Sequence, residues 1–507
     1  MKKYILFFLL LSATGIIYLL IPAPVNDSFV SIAKNKFKKD DFVSIGENNF
    51  MQNGKMFYPL VVNYMAATQT DGKELWPRPA IDYTVDSSHE SKTKEACLKE
   101  LRADMHLIRQ MGFNAVRMVG ISEVAFVTDN DKFSILAFRP YIGNNKFKYT
   151  PLTDTASYRS YFNALAELFN VINEAGLKVI LAVRTRPEVL TTESFLDKIT
   201  TYFRNDATIM AYDLYNEPLY FDKPERDKKE VYTVTRRWKK LCHRNAPRQL
   251  VTIGLEGIRE VHAWDPLTIN VDFVSFHPYE HEPEQVRNEI TWYNRYVKRP
   301  WIIGETAIPA DNDSVSYDEQ KLFAHKTLKQ AFNCGAWGYS WWQYKDVQWQ
   351  KFHSSFMGVV DRKGITRLPK DDLFVYGTVK PMADELKNFD PSSRKDSCTC
   401  LPNYYNYSEH RDCRIKGKLL DGKNKPIEGG IILAWNQWWS HSYHTITKAD
   451  GSFEVRGNFP FYHWIASANA YSMVRGDVMP DTAKKSADGI PTMDIGDLKI
   501  KKLSFVH

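Results

Sequence analysis

The sequence predicts an α/β fold, a (β/α)8 TIM barrel followed by a small all-β sandwich domain. Over residues 42–390, eight short β-rich runs alternate with helix-sized segments, which is typical of a closed parallel barrel. Over residues 413–507, short strand-like runs are separated by Asp-Gly turn signals, which favours an antiparallel sandwich. A hydrophobic share of 44% and a charged share of 25% are ordinary for a folded globular protein.

The predicted elements follow one another in a regular order. The eight predicted strands cover residues 58–64, 115–119, 179–183, 209–215, 250–253, 273–276, 301–303 and 336–340. Apolar residues spaced three and four apart predict helices near residues 98–108, 162–172, 231–241, 286–297 and 316–332. Asn53-Gly54 predicts a hairpin ahead of the first strand. A doubly wound sheet is the structural alternative, but no glycine-rich phosphate loop follows the first strand.

The first residues concern cellular location. Lys2 and Lys3 precede an apolar run over residues 4–21, which is typical of export. Residues 1–24 are therefore either a cleaved signal peptide or an N-terminal membrane anchor, and residues 25–41 are a stalk. Both interpretations place the remainder outside the cytoplasm, in a secreted, periplasmic or cell-surface protein.

The cysteines are too few for a disulfide-built scaffold, since the chain of 507 residues has six. Residues 391–412 are predicted to be a linker. Outside the cytoplasm one pair could bridge among Cys398, Cys400 and Cys413. The other three cysteines fall on predicted helices and are expected to be packing residues: Cys97, Cys242 and Cys334.

Two glutamates follow predicted barrel strands, at the end where a parallel barrel carries its reacting groups. Glu217 follows the fourth strand and Glu305 follows the seventh. A buried carboxylate needs a partner, so one interpretation of each is a salt bridge to Arg117 or Arg184. The presence of both glutamates favours chemistry instead. Paired carboxylates suit glycosidic bond cleavage, because one donates a proton while the other attacks the sugar.

Four segments resemble the strand-end signatures of clan A glycoside hydrolases, and they look nearest to the family 5 group of cellulases and mannanases. The segments are Tyr215-Asn216-Glu217-Pro218, Ser275-Phe276-His277-Pro278-Tyr279, Ile303-Gly304-Glu305-Thr306 and Tyr339-Ser340-Trp341-Trp342. Val62-Asn63 on the first strand and Val116-Arg117 on the second are similar too. The resemblance covers residues 42 to about 390.

The resemblance implies a retaining mechanism with Glu217 as the acid/base and Glu305 as the nucleophile. It also implies that Asn216 forms a hydrogen bond with the sugar 2-hydroxyl. Arg117 would lie under the nucleophile and hold it ionised.

Further substrate-binding roles are implied by the same resemblance. Tyr279 would donate to the nucleophile, and His277 would line the acid/base side. Trp342 would form the floor of the sugar site, or Trp341 if the strand register slips by one residue. Asn63 completes this set at the end of the first strand.

Two further candidate binding residues lie outside the resemblance. Where the family often has a histidine near the end of strand three, this chain has Arg184 and Arg186. Arginines at a pocket rim could bind an acidic or sulfated sugar. The alternative is an ion pair with Asp213, Glu188 or Asp154. Trp76, in the long loop after the first strand, is either a distal sugar platform or a packing residue.

The C-terminal segment resembles carboxypeptidase regulatory-like sandwiches through Gly417-Lys-Leu-Leu-Asp421 and Ala449-Asp-Gly-Ser-Phe453. That resemblance implies a structural or spacer module. A carbohydrate-binding face is the alternative interpretation, because the segment carries Trp435, Trp438 and Trp439.

We therefore predict a retaining β-glycoside hydrolase that acts on a β-linked poly- or oligosaccharide. No cofactor, no metal and no nucleic-acid partner are expected, since a net charge of +7 without a long basic block is a mild excess. A transglycosylase using the same intermediate is a variant of this function. A non-catalytic glycan-binding or surface-attachment protein is the alternative, and the intact pair Glu217 and Glu305 argues against it.

Overall fold

The computed structural model describes residues 36–129, 132–222, 226–349, 353–369, 372–392 and 396–505. The apolar run over residues 4–21, interpreted above as a signal or an anchor, lies outside them. Within these ranges no helix has the length and hydropathy that a membrane span requires.

Eight parallel strands form the centre of the larger domain, and each corresponds to a predicted strand. Their bounds are Leu60–Thr70 (β1), Ala115–Val119 (β2), Lys178–Ala182 (β3), Ile209–Asn216 (β4), Leu250–Leu255 (β5), Val274–Phe276 (β6), Trp301–Ile303 (β7) and Tyr339–Trp341 (β8). The strands pair in the order β7-β6-β5-β4-β3-β2-β1-β8, and every neighbouring pair is parallel. β2 and β3 are buried along their whole length, as expected for strands covered on both faces.

The two end strands of this sheet, β7 and β8, are adjacent although no strand ladder joins them. The backbone N–H of Trp337 donates to the carbonyl of Trp301 at 2.8 Å, and that of Ile303 donates to the carbonyl of Gly338 at 3.2 Å. The carboxyl ends of all eight strands therefore lie around one opening.

Helices cover the outside of the sheet. They are Lys94–Gln110 (α1), Thr155–Glu174 (α2), Leu190–Tyr202 (α3), Pro218–Phe221 (α4), Lys228–Asn245 (α5), Val286–Tyr296 (α6), Tyr317–Asn333 (α7) and Ala383–Lys387 (α8). A capping box begins α7, in which the side chains of Ser316 and Glu319 each accept a hydrogen bond from the other's backbone N–H. α3 was not predicted, because its threonines lower helix propensity while Phe195, Leu196 and Ile199 form its buried face.

Several short strands are inserted around the central sheet. The predicted Asn53-Gly54 hairpin is confirmed: Phe50–Gln52 pairs with Lys55–Phe57, and both turn residues have positive φ. The remaining strands are Ser44–Ile45, Leu75–Pro79, Ala125–Asp129, Lys132–Phe138, Thr150–Pro151, Ile365–Leu368 and Leu373–Tyr376. Single 3-10 turns lie at Lys39–Asp41, Ile81–Tyr83, Ser87–His89, Gly257–His262, Pro283–Gln285, His353–Phe356 and Pro480–Thr482.

The C-terminal part consists of two four-stranded sheets around a shared apolar core. In pairing order the first contains Ser452–Gly457, Cys413–Asp421, Pro491–Ile500 and Lys484–Lys485. The second contains Ser442–Ile446, Ile431–Trp435, His463–Ser467 and Val474–Asp477. Trp438 and Trp439 lie in the turn between two strands of the second sheet and are exposed.

The segment predicted as a linker packs against the barrel. Tyr404 and Tyr407 are buried in the core of the larger domain. The cysteine prediction was wrong, because Cys334 forms a disulfide with Cys398. Cys334 directly follows α7. Cys398 lies beside the end of that helix, bonded to Cys334.

The second C-terminal sheet and its loops pack on α5 and α6. The indole of Trp292 donates to the carbonyl of Gly429 at 2.8 Å, and Lys228 Nζ donates to the carbonyl of Ala468 at 2.8 Å. Because both donors are buried, these contacts form a dry interface beside strands β5 and β6.

Candidate active site

The two predicted catalytic glutamates lie at the carboxyl end of the sheet. Glu217 directly follows β4 with a left-handed backbone (φ 44°), which is uncommon outside glycine. Its N–H donates to the carbonyl of Gly254 on β5 at 2.7 Å, which holds this turn in place. Glu305 lies two residues beyond the end of β7.

The carboxylates of Glu217 and Glu305 converge on one histidine. His277 Nδ1 lies 2.9 Å from Glu217 Oε1 and 3.6 Å from Glu305 Oε1. One oxygen of each carboxylate and the imidazole nitrogen all lie within 4.8 Å of one another. Glu305 is only 6% exposed, whereas the side chain of Glu217 is 16% exposed. The sheet thus brings together two residues that are far apart in the sequence.

Arg117 on β2 joins the ends of four strands beneath this pair. Its Nη1 donates to Glu305 Oε1 at 2.5 Å and to Asn63 Oδ1 at 2.9 Å. Its Nη2 donates to Asn216 Oδ1 at 2.7 Å, and its Nε donates to Asp213 Oδ2 at 2.8 Å. Because Arg117 is almost wholly buried, these four bonds fix the position of its charge against Glu305.

Asn63 on β1 is buried and has partners at both ends of its amide. Besides accepting from Arg117, it donates through Nδ2 to the carbonyls of Gly304 at 3.1 Å and Trp341 at 3.2 Å. Asn63 therefore supports the segment before Glu305 rather than facing the opening.

Two glycines make room for His277. A Cβ on Gly254 would lie 2.7 Å from the imidazole, and one on Gly304 would lie 2.8 Å from His277 Nε2. Larger residues at either position would push the ring away from Glu217. His277 is fully buried, so its imidazole contacts the carboxylates from the interior of the protein.

Tyr279 contacts the second oxygen of the candidate nucleophile. Its hydroxyl donates to Glu305 Oε2 at 3.1 Å, opposite the oxygen that Arg117 contacts. Burial raises the pKa of Glu305 above its ordinary value, and the charge of Glu217 adds to this. The charge of Arg117 and the hydrogen bond from Tyr279 oppose the rise and favour the ionised form.

The two tryptophans at the end of β8 have different surroundings. Trp341 is fully buried, and its indole donates to the carbonyl of Met357 at 2.7 Å. Trp342 is half-buried, and its N–H donates to the carbonyl of Thr306 beside Glu305. The peptide between Trp342 and Gln343 is cis. Of the pair, only Trp342 has ring surface at the opening for a sugar.

Trp76 and Arg184 have contrasting positions. Trp76 is buried in the strand Leu75–Pro79, so the structure does not bring it to the opening as a platform. Arg184 follows β3 and is half-buried, with no ion pair or hydrogen bond among the described residues. The carboxylates considered as its partners have other contacts, since Asp213 pairs with Arg117 and Glu188 pairs with Arg226.

The residue types of Glu217, His277 and Glu305 would also suit a metal ion. The guanidinium of Arg117 already lies 2.5 Å from Glu305 Oε1, and its positive charge disfavours a second cation there. The arrangement therefore fits a pair of candidate catalytic carboxylates better than a metal-binding site.

Sequence reasoning missed Asp213, Gly254 and Gly304 as parts of this site. Asp213 accepts from Arg117 and, through Oδ1, from the N–H of Gly254 at 2.9 Å. The sequence feature that could have identified Asp213 is its position within a strand that is otherwise apolar and buried.

Comparison with known proteins identifies the family to which the chain belongs. Residues 86–345 match the cellulase family, glycosyl hydrolase family 5. Since this match covers just over half of the chain, the protein belongs to glycosyl hydrolase family 5. No curated protein is significantly similar to the sequence.

Several solved structures are similar at low sequence identity. A calcium-binding mutant of β-glucuronidase 2 from Bacteroides uniformis is 11% identical over 90% of this chain and 48% of its own, with a TM-score of 0.43. The family 5 mannosidase from Rhizomucor miehei is 13% identical over 69% of this chain and 97% of its own, with a TM-score of 0.44. The endo-1,4-β-mannanase from the same organism is 12% identical over 60% and 90%, with a TM-score of 0.41. The chain spans about half the length of the β-glucuronidase.

Proposed function

We propose that this protein is a glycosidase, namely a retaining β-glycoside hydrolase with Glu305 as nucleophile and Glu217 as acid/base. The observation that carries the proposal is the close approach of the two carboxylates, since one oxygen of Glu217 and one oxygen of Glu305 lie within 4.8 Å of each other. Retaining enzymes place their carboxyl groups about 5–5.5 Å apart, whereas inverting enzymes need roughly 6.5–9.5 Å to admit a water. The close approach of the two carboxylates therefore favours the retaining route.

In the first step, ionised Glu305 attacks the anomeric carbon and forms an ester bond to it. The bond from that carbon to the leaving oxygen breaks, and the proton of Glu217 moves to that oxygen. Arg117 and Tyr279 favour the ionised state from which Glu305 attacks. His277 holds the carboxyl of Glu217 on the side of the leaving group.

In the second step, Glu217 removes a proton from water while the water oxygen attacks the anomeric carbon. The ester bond to Glu305 breaks, and both carboxyl groups return to their starting states. A sugar hydroxyl in place of water gives transglycosylation by the same route. Trp342 supplies the apolar floor for the reacting ring, and Asn216 reaches its 2-hydroxyl.

Trapping the covalent intermediate tests this mechanism. A 2-deoxy-2-fluoro β-glycoside with an activated leaving group should add one glycosyl mass to the protein, and the label should map to the peptide that contains Glu305. Glu305→Gln should take up no label and should lose about four orders of magnitude or more in kcat. Labelling of another residue would overturn the assignment, and release of the opposite anomer would overturn retention.

We further infer that Arg184 binds an anionic substituent of a β-linked poly- or oligosaccharide. Its guanidinium is half-buried and without an ion-pair partner among the described residues. Burial, together with the charge of Arg186, lowers the pKa of Arg184, whereas the charge of Glu123 opposes this shift. Arg184→Gln should lower kcat/KM for uronic-acid or sulfated substrates by at least tenfold and leave neutral ones unchanged. Equal effects on both substrate classes would contradict this role.

We propose an extracytoplasmic location for the protein. The disulfide between Cys334 and Cys398 supports it, because such bonds persist in oxidising compartments. Fractionation of the native host should find the protein outside the cytoplasm with this pair oxidised. Recovery of reduced protein from the cytoplasm would contradict the proposal.

We also propose that the β7–β8 seam closes the sheet into a (β/α)8 barrel, and that the C-terminal sheets form a regulatory-like sandwich. The two hydrogen bonds across the seam support closure. Slow hydrogen exchange of the Trp337 and Ile303 amides would agree with it, and exchange as fast as in surface loops would not.

A further inference from the structure

A second group of buried ligand-type side chains lies away from the catalytic pair. It consists of Glu280 in the loop after β6, Glu289 in α6 and His444 in the C-terminal strand Ser442–Ile446. His444 Nε2 lies 3.4 Å from Glu280 Oε1 and 3.6 Å from Glu289 Oε1. We call these three side chains the interface cluster, since they join the barrel to the C-terminal domain.

Four buried polar atoms of the interface cluster have no hydrogen-bond partner within the described ranges. Glu289 is 0% exposed and His444 is 5% exposed, yet both oxygens of Glu289, Nε2 of His444 and Oε1 of Glu280 are unpaired. The buried hydroxyls of Tyr293 and Tyr407, which lie near Glu289, are unpaired too. Buried polar groups are nearly always satisfied, so this concentration of unsatisfied atoms points to a missing binding partner.

The charges of the interface cluster are also unbalanced. Arg259 acts on both glutamates, but its guanidinium is ion-paired with Glu256. Within the described ranges neither Glu280 nor Glu289 forms an ion pair with a lysine or an arginine, and His444 is the basic side chain that contacts both.

We propose that Glu280, Glu289 and His444 bind a divalent cation, with zinc the best match to two carboxylates and one imidazole. Zinc bonds nitrogen and oxygen at about 2.0–2.1 Å in tetrahedral geometry, which places neighbouring ligand atoms roughly 3.4 Å apart. The separations of 3.4 and 3.6 Å agree with this value. The second oxygen of Glu289 or a water completes the coordination.

The position of the interface cluster indicates a structural role for the bound cation. Glu280 directly follows Tyr279, whose hydroxyl contacts Glu305. A cation held by Glu280, Glu289 and His444 fixes that loop against α6 and the C-terminal sheet. This effect on the loop rests on the proposed function, whereas the binding of zinc does not.

Metal content and zinc titration of the full chain test the proposal. After removal of metal with a chelator, titration of Zn²⁺ against a chromophoric competitor should show one tight site per chain. Glu289→Gln and His444→Ala should each raise the Kd of this site for zinc by more than the roughly 10–100-fold expected for residues that do not bind the metal directly. His463→Ala is the matched control, because its ring is partly exposed and pairs with Asp477. That variant should bind zinc like the native protein.

Two further measurements separate this site from the catalytic pair and from misfolding. Glu305→Gln removes one of the ligand-type residues of the active site and should leave the tight zinc site intact. Zinc at about 100 times its Kd should raise the Tm of the native protein by roughly 3 °C and leave that of Glu289→Gln unchanged. The proposal would be overturned if the native protein binds no zinc, or if the tight site is lost in Glu305→Gln and kept in Glu289→Gln. Glu280 and Glu289 would then share a proton.

Discussion

Removal of the Tyr279 hydroxyl tests how Glu305 is kept ionised. Tyr279→Phe deletes the O–H that donates to Glu305 Oε2 at 3.1 Å and leaves the contact from Arg117 in place. Because that hydrogen bond favours the ionised form, its loss raises further a pKa that burial has already raised. Glu305 must be ionised to attack, so the acid limb of the kcat/KM profile moves to higher pH.

The size of the effect follows from the energy of the bond. A hydrogen bond to a charged group contributes about 1.5–3 kcal/mol, and about 1.4 kcal/mol corresponds to a factor of ten. Below the pKa of Glu305, kcat/KM follows the ionised fraction, so Tyr279→Phe should be roughly 10- to 150-fold slower there. Well above that pKa the carboxylate is ionised in both proteins, and the difference should shrink to about a few-fold.

The assay is kcat/KM for an aryl β-glycoside across the acid and neutral range. Tyr212→Phe is the control, because it removes a buried hydroxyl that has no hydrogen-bond partner in the described part of the chain. Its profile should coincide with that of the native protein. An acid limb that does not move in Tyr279→Phe would refute the reasoning. So would a loss of equal size at every pH, since that indicates general damage to the site.

Three further substitutions test separate parts of the structure. Arg117→Met leaves the buried carboxylates of Asp213 and Glu305 without their cation and should lower the free energy of unfolding by about 3–5 kcal/mol. Urea unfolding measures this, and an unchanged midpoint would contradict it. Cys334→Ser opens a loop with a sequence separation of 64 residues and should cost about 4 kcal/mol in the same assay. A native protein equally stable with and without reductant would argue against that value. Glu217→Ala should keep its kcat/KM, which reports the first step, on aryl glycosides with good leaving groups and lose it on poor ones, because only the latter need the proton. A uniform loss across a leaving-group series would count against Glu217 as the acid.

The central strands were predictable because parallel strands buried on both faces read as continuous apolar runs. β2 and β7 have the predicted bounds, and β3 differs by one residue at each end. The catalytic candidates were predictable for the same reason. Glu217 and Glu305 each interrupt the chain directly after such a run, where an unpaired carboxylate would be costly.

Features that depend on distant contacts could not be predicted. The Cys334–Cys398 disulfide needs the segment after residue 396 to lie beside the end of α7, which no local pattern indicates. The burial of Trp76 follows from the pairing of its strand with an extended β1, whose predicted end was residue 64 instead of Thr70. The interface cluster draws its ligands from two domains, so no ligand spacing in the sequence reveals it.

The catalytic geometry depends on the sheet rather than on the loops. Arg117 bonds three side chains: Asn63 within β1, Asn216 at the end of β4, and Glu305 in the segment after β7. Glu217 in turn is fixed by a backbone bond to β5. Because these anchors belong to paired strands, the positions of the two carboxylates depend on the sheet more than on the loops around it. In the function proposed above, the loops would determine which sugar is bound, through residues such as Arg184, while the spacing of the two carboxylates would keep the stereochemical course the same.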